Sequence, residues 1–204
     1  MDTPATSQPL VPGSEEELRC RLSLVSPTDH LRGIFFTGVL ELVRREEGEA
    51  AAQCCLQVCE ETQFLDFFDY SYEVFLRLLY TAGRVLSDRH GGFEKALWWM
   101  GYEVTKVFYA SSAAGRVLLL MAQGDPRRLL SNVPSSLQLV SRNRECQVRL
   151  QGPKSGVMLK HDLLPRAFIE GGLVATFDAA KVKGVQVRSR PLGPTENEYE
   201  FTWA

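Results

Sequence analysis

Near residue 143 the hydrophobic period of the chain changes, and this change restricts the fold more than any other feature. Before it, apolar residues recur mostly at intervals of three and four; after it, alternating segments flank a single helix. In RECQVRLQ, Cys146, Val148 and Leu150 alternate with Gln147, Arg149 and Gln151, the period of a half-buried strand. The turn-forming GPKSG and the strand VMLKHD follow, which together read as a β-hairpin. LLPRAFIEGGLVATFDAAK is a helix, with Phe168, Leu173, Phe177 and Ala180 as candidate core positions. GVQVRSRP and EYEFTWA form a second strand pair across LGPTEN.

The upstream part is mostly helical. MDTPATSQPLVPGSEEE is polar and reads as a disordered tail over residues 1–17. LRCRLSLV alternates and predicts a strand, and SPTD supplies caps for a helix over HLRGIFFTGVLELVRREEG. There Gly33 and Gly38 weaken the helix or permit a close backbone approach. Further helices are expected over the cysteine segment from Glu49 to Thr62, over YSYEVFLRLLYTAGRVLSD, over FEKALWWMGYEVTKVFYASS and over AAGRVLLLMA. PRRLLSNVPSSLQLVS is one more helix or two short turns. The expected fold is α+β, a single domain over residues 18–204. A helical part over about 28–142 precedes a β-β-α-β-β antiparallel sheet part over about 143–204.

Composition narrows the function. The formal net charge of -2 disfavours nucleic acid as the main partner, because phosphate neutralisation needs a basic excess. Five cysteines, three of them clustered, do not make a dispersed disulfide framework. The longest apolar run, VLLLMA, is far short of the roughly 20 residues of a membrane span. With no signal sequence at its start, the chain is expected in the cytoplasm.

The motifs of common chemistries are missing. The cysteines of QCCLQVCEE lack nearby partners for tetrahedral zinc, and His30, His90 and His161 are isolated. On a helix of about 100° per residue, Cys54, Cys55 and Cys59 share one apolar arc with Ala51, Val58 and Thr62. They read as buried core thiols; a ligand-pocket lining, an acylation site, or a metal or redox site are the alternatives. No G-x-S-x-G elbow occurs. Asp66 and Asp69 read as caps of the next helix, and Asp125 with Pro126 as the cap and first residue of another. Gly91-Gly92 and Gly171-Gly172 match no phosphate-binding pattern. An enzyme would need a constellation assembled from distant residues such as His161 and Asp162. Arg142, Arg144 and Arg149 form one of several short basic spots.

The tryptophan helix carries two apolar stripes. One holds Phe93, Ala96, Leu97, Met100, Val104, Val107 and Phe108; the other holds Trp98, Trp99, Tyr102 and Tyr109. Either the helix is enclosed by its own domain, or one face meets a partner or ligand.

GIFFTGVLELV, DFFDYSYEVFLRLLYTAG, GGFEKALWWMGYEV, GRVLLLMAQGDPRRLL and YEFTW resemble a myxobacterial paralogous family of uncharacterised proteins, over about Leu18 to Trp203. The C-terminal third, LPRAFIEGGLVATFDAAKVKGVQVRSRPLGPTENEYEFTW, is similar to the end of 4-vinyl-reductase-type ligand-binding domains. TRAPP vesicle-tethering subunits and haem-based nitric-oxide sensors share that superfamily. The resemblance implies a 4-vinyl-reductase/TRAPP-like fold. It also implies a haem ligand set that this sequence departs from: a proximal histidine and a Tyr-x-Ser-x-Arg clamp, where YASSA at Tyr109 lacks the arginine. The zinc-bearing members use several cysteines near the C-terminus, and here Cys146 stands alone. No cofactor is therefore expected.

The expected function is a non-catalytic signalling module, dimeric or bound to another protein through Trp98, Trp99, Tyr102 and Tyr109. The alternative is a sensor that holds a small apolar ligand or acyl chain between helices, lined by Cys55, Cys59, Phe75, Leu79 and Met100.

Overall fold

The computed structural model describes residues 10–61, 63–141 and 145–204, and only the backbone of Leu139 and Val140. Residues 1–9 of the expected tail, Thr62 of the cysteine face, and Arg142 and Arg144 of the basic spot lie outside the described residues.

The end of the expected tail is helical. Ser14 accepts a hydrogen bond from the Glu17 amide and caps α1 (Glu15–Leu22). LRCRLSLV therefore lies largely in a helix, not a strand. Glu15, Glu16 and Glu17 sit at the positive end of α1, and Arg19 and Arg21 in its last turn, where the helix dipole favours them. Of the alternating leucines, Leu18 is buried and Leu22, one turn on, is partly so. Arg21 is held inward: its guanidinium donates to Glu17, to the Tyr80 hydroxyl and to the Leu163 carbonyl.

β1 (His30–Arg32) and β2 (Asp69–Ser71) pair antiparallel, so the next helix, α2 (Gly33–Glu47), starts at Gly33 and not within SPTD. A Cβ at Gly33 would lie 2.1 Å from the Leu65 carbonyl oxygen; this is the close approach that glycine permits. α3 (Glu49–Gln57) ends before Val58. Its buried face turns toward Ala52 and Cys55, leaving Cys54 exposed. Cys59 is buried from the turn beyond the helix, so the three thiols do not share one buried arc.

Ser71, not Asp66 or Asp69, caps α4 (Tyr72–His90). Asp69 pairs with Arg32 across the β1–β2 ribbon, and Asp66 accepts from the Thr37 hydroxyl. α5 (Phe93–Ser111) turns by 88° into α6 (Ala113–Ala122). Asp125 caps α7 (Pro126–Val140), which continues past Pro134 as one helix.

The second half follows the alternating pattern. β3 (Cys146–Gly152) and β4 (Ser155–His161) form a hairpin, α8 (Arg166–Ala179) follows, and β5 (Gln186–Pro191) and β6 (Glu196–Thr202) complete an antiparallel sheet of order β3-β4-β6-β5. The register sets Met158 between Val148 and Tyr199, and Lys160 between Cys146 and Asn197. One face thus runs from apolar residues to a polar corner.

The chain is α+β, with eight helices among the described residues. One hydrophobic core fills the helical block and includes Phe36, Phe75, Leu79 and Met100. The other large one lies between α7, α8 and the sheet and includes Leu130, Met158, Phe177, Tyr199 and Phe201, and a third, small cluster joins Phe108, Tyr109 and Leu118. Ile169 of α8 packs against both. α8 crosses α5 with backbones in contact: a Cβ at Gly171 would lie 1.9 Å from the Trp98 carbonyl oxygen, and one at Gly101 1.9 Å from that of Phe168.

Candidate functional site

A partly open cavity of about 120 Å³ lies between the two cores. α5 contributes Thr105, Phe108 and Tyr109; α8 contributes Phe168, Ile169, Gly172, Leu173 and Thr176. Val133, Ser136 and Leu137 of α7, Phe35 of α2, and Leu31 of β1 close other sides. The floor is Met158 and Lys160 of β4, with Asp162 and Leu164 just beyond the strand. A bridge between Leu31 and Ser141 ties β1 to the end of α7 at the rim.

The wall is largely apolar, with its charge at one place. Lys160 is 4% and Asp162 0% exposed. The Lys160 ammonium donates to Asp162 Oδ2, while Asp162 Oδ1 accepts from the Leu164 amide at 3.0 Å. The Asp162 amide donates to the Thr195 carbonyl at 2.7 Å. A buried ion pair of this kind costs desolvation of both groups, so its place in a cavity wall is a functional clue. Hydroxyl groups add polarity. The hydroxyls of Tyr72 and Ser141 are 2.9 Å apart. Burial pushes the phenol of Tyr109 above the usual range, and the Thr176 hydroxyl beside it in the wall donates to the Gly172 carbonyl at 2.8 Å.

The residues singled out in the sequence fall elsewhere. Cys55, Cys59, Phe75, Leu79 and Met100 are buried in the helical core, and none lines this cavity. Burial pushes the Cys55 thiol up to about 11 and the Cys59 thiol to about 12, helped by neighbouring thiols and, for Cys59, by Glu61. Trp98 is 36% exposed and stacks on Tyr102, whose hydroxyl donates to Asp178 of α8. Trp99 is half-buried against His90, with the Arg45 guanidinium over its ring. Tyr109 is buried in the cavity wall. The expected aromatic stripe is therefore divided among three surroundings.

His161 and Asp162 diverge. His161 is exposed, its Nε2 2.8 Å from the Thr195 hydroxyl, while Asp162 faces the cavity. No group of three or more His, Cys, Asp and Glu among the described residues is arranged to hold a metal ion. Nor is any single helix there long and apolar enough to cross a membrane.

Lys160 and Asp162 were within reach of sequence reasoning. In VMLKHD they follow the phase of Met158, so one charge lies on the inward side of β4 and the other in the same phase just past its end. The rest of the wall comes from elements whose nearness no spacing records. The largest exposed apolar residues also went unmarked: Leu120 at 75% on α6, beside Val117 and Met121, and Phe67 at 87% in the loop before β2.

The arrangement of helical block, crossing helix and sheet is that of H-NOX domains. An H-NOX protein from K. algicida, solved in the unliganded Fe(II) form, is similar at TM-score 0.68 and 16% identity, over 85% of this chain and 97% of that one. The H-NOX from Shewanella woodyi, bound to IWP-051 in the Fe(II)CO state, gives 0.63 and 18%, over 84% and 94%. That from S. oneidensis in the Fe(II)NO state gives 0.56 and 13%, over 85% and 99%. Residues 24–204 match the model of a family described as protein of unknown function (DUF2378), and the chain belongs to that family. No curated protein is significantly similar to it.

Proposed function

We propose that this protein is a non-catalytic sensor domain that holds a small, mostly apolar ligand in the cavity between its two cores. The observation that carries this reading is the apolar, partly open cavity with a buried Lys160–Asp162 pair in its wall. The fold shared with H-NOX domains supports it, since those structures are solved with small ligands. It is preferred to a module working only through protein contacts, because Trp98, Trp99, Tyr102 and Tyr109 do not form one exposed surface. Among the described residues the cavity wall contains no histidine or cysteine, and its one carboxylate is engaged by Lys160 and the Leu164 amide. This favours binding over catalysis.

H-NOX relatives of this fold are described with haem, but the residues here do not fit it. Haem iron takes His, Cys, Met or Tyr as axial ligand. Of these the cavity has Tyr72, Tyr109 and Met158. The Tyr72 hydroxyl is hydrogen-bonded to that of Ser141, burial pushes the Tyr109 phenol up and so opposes the deprotonation that iron ligation needs, and Met158 is part of the packed sheet core. The volume is nearer the about 150 Å³ that admits benzene than the space a porphyrin needs.

The test is a titration of the purified protein with isopropylbenzene or acetophenone, followed by amide NMR. Shifts centred on Thr105, Ile169 and Leu173, abolished by the cavity-filling Ser136→Phe, are expected. Saturating amounts of both that leave every amide in place would overturn the reading.

A further inference from the structure

We infer that the cavity is built for an uncharged ligand bearing an oxygen acceptor, a ketone or ester carbonyl, held by the Lys160 ammonium; this rests on the sensor reading above. An ammonium has three N–H donors. Among the described residues Lys160 donates to Asp162 alone, and its side chain is 4% exposed. Two donors on a buried charged nitrogen thus lack a protein acceptor, a costly arrangement unless something else supplies one. Lys160 lines the cavity, and an acceptor there meets that need.

Charge selects the kind of acceptor. Asp162, fully buried, already balances Lys160, so the pair presents no net charge. A carboxylate ligand would lose its hydration and bring a second negative charge beside Asp162. A carbonyl offers lone pairs without either penalty. A hydrocarbon enters the apolar part but leaves the ammonium donors unmet. Phe168, Ile169 and Leu173 form the apolar surface for the body of the ligand. At about 120 Å³ the space suits one ring or a short branched chain, by comparison with cavities of about 150 Å³ that take benzene.

Three near-isosteres separate the possibilities: acetophenone, isopropylbenzene and benzoate, each titrated into the wild-type protein at pH 7 by calorimetry. The expected result is that acetophenone binds about tenfold or more tightly than either of the others. In K160M/D162N, which removes both charges at similar shape, acetophenone should weaken to the level of isopropylbenzene, whose own affinity stays within about twofold. Equal binding of isopropylbenzene and acetophenone to the wild type overturns the acceptor assignment and leaves the sensor reading standing. Tightest binding by benzoate overturns the choice of an uncharged head. Binding of none of the three removes the sensor reading and this inference with it. If the double variant does not fold, the wild-type ranking decides alone.

Discussion

The backbone of Gly171 rests against the carbonyl of Trp98, so closely that a Cβ at Gly171 would lie 1.9 Å from that oxygen. The next glycine has a different neighbour: a Cβ at Gly172 would lie 2.9 Å from the Thr105 hydroxyl oxygen. Backbone cannot yield as a side chain can. Gly171→Ala is expected to destabilise the protein by about 3 kcal/mol or more, and Gly172→Ala by about 1 kcal/mol. Urea unfolding of the two variants measures the difference, and equal losses would contradict the backbone contact.

Lys160→Met should cost about 3–5 kcal/mol, because it leaves Asp162 charged and buried without its partner. K160M/D162N should recover most of that loss. Chemical denaturation of wild type, single and double variants decides it; a single variant as stable as wild type would show that the pair is not buried together in solution.

The fold holds Cys55 and Cys59 as thiols to about pH 11 and 12, against an ordinary value near 9.0. Above pH 9 the unfolded chain therefore releases protons that the folded chain keeps, and stability falls as pH rises. Each thiol should contribute a loss of about 1 kcal/mol per pH unit between about pH 9 and 11. Cys55→Ala should flatten the dependence of unfolding free energy on pH over that window. In the folded protein, Ellman's reagent should label Cys20 and Cys54, which are exposed, well before Cys55 and Cys59.

Arg21 joins α1 to Tyr80 and to the Leu163 carbonyl. Arg21→Ala should loosen α1 and cost about 2 kcal/mol. Hydrogen exchange should show the amides from Glu17 to Leu24 losing protection while those of α4 keep theirs. Unchanged exchange in α1 would mean that Leu18 packing alone holds it.

Hemin added to the purified protein should give no sharp Soret band of an axially ligated haem. A stoichiometric band that survives gel filtration would overturn the assignment of the cavity to a smaller ligand.

The sheet half of the fold was readable because alternation at Cys146, Val148 and Leu150 reports directly on a sheet with one buried face. The same rule failed at LRCRLSLV. There an N-cap at Ser14 and an inward arginine outweigh a short alternating pattern. Asp125 and Pro126 were readable as a helix start because capping depends on neighbours in sequence. The cavity was not, since Phe35, Thr105, Ser136, Lys160 and Thr176 come from five elements. The cysteine cluster drew attention by its composition, yet its burial was decided by where α3 stops.

No side chain separates α5 from α8 where Gly101 lies on the Phe168 carbonyl and Gly171 on that of Trp98, so little can give way at the crossing. The residues of α8 that face the cavity, from Phe168 to Thr176, straddle that point. Sliding α8 along α5 would drive one backbone into the other, so a ligand that loads these residues is expected to tilt α8 about the contact. Such a tilt would be felt at Phe177, in the sheet core, while Phe168, in the helical core, stays at the contact.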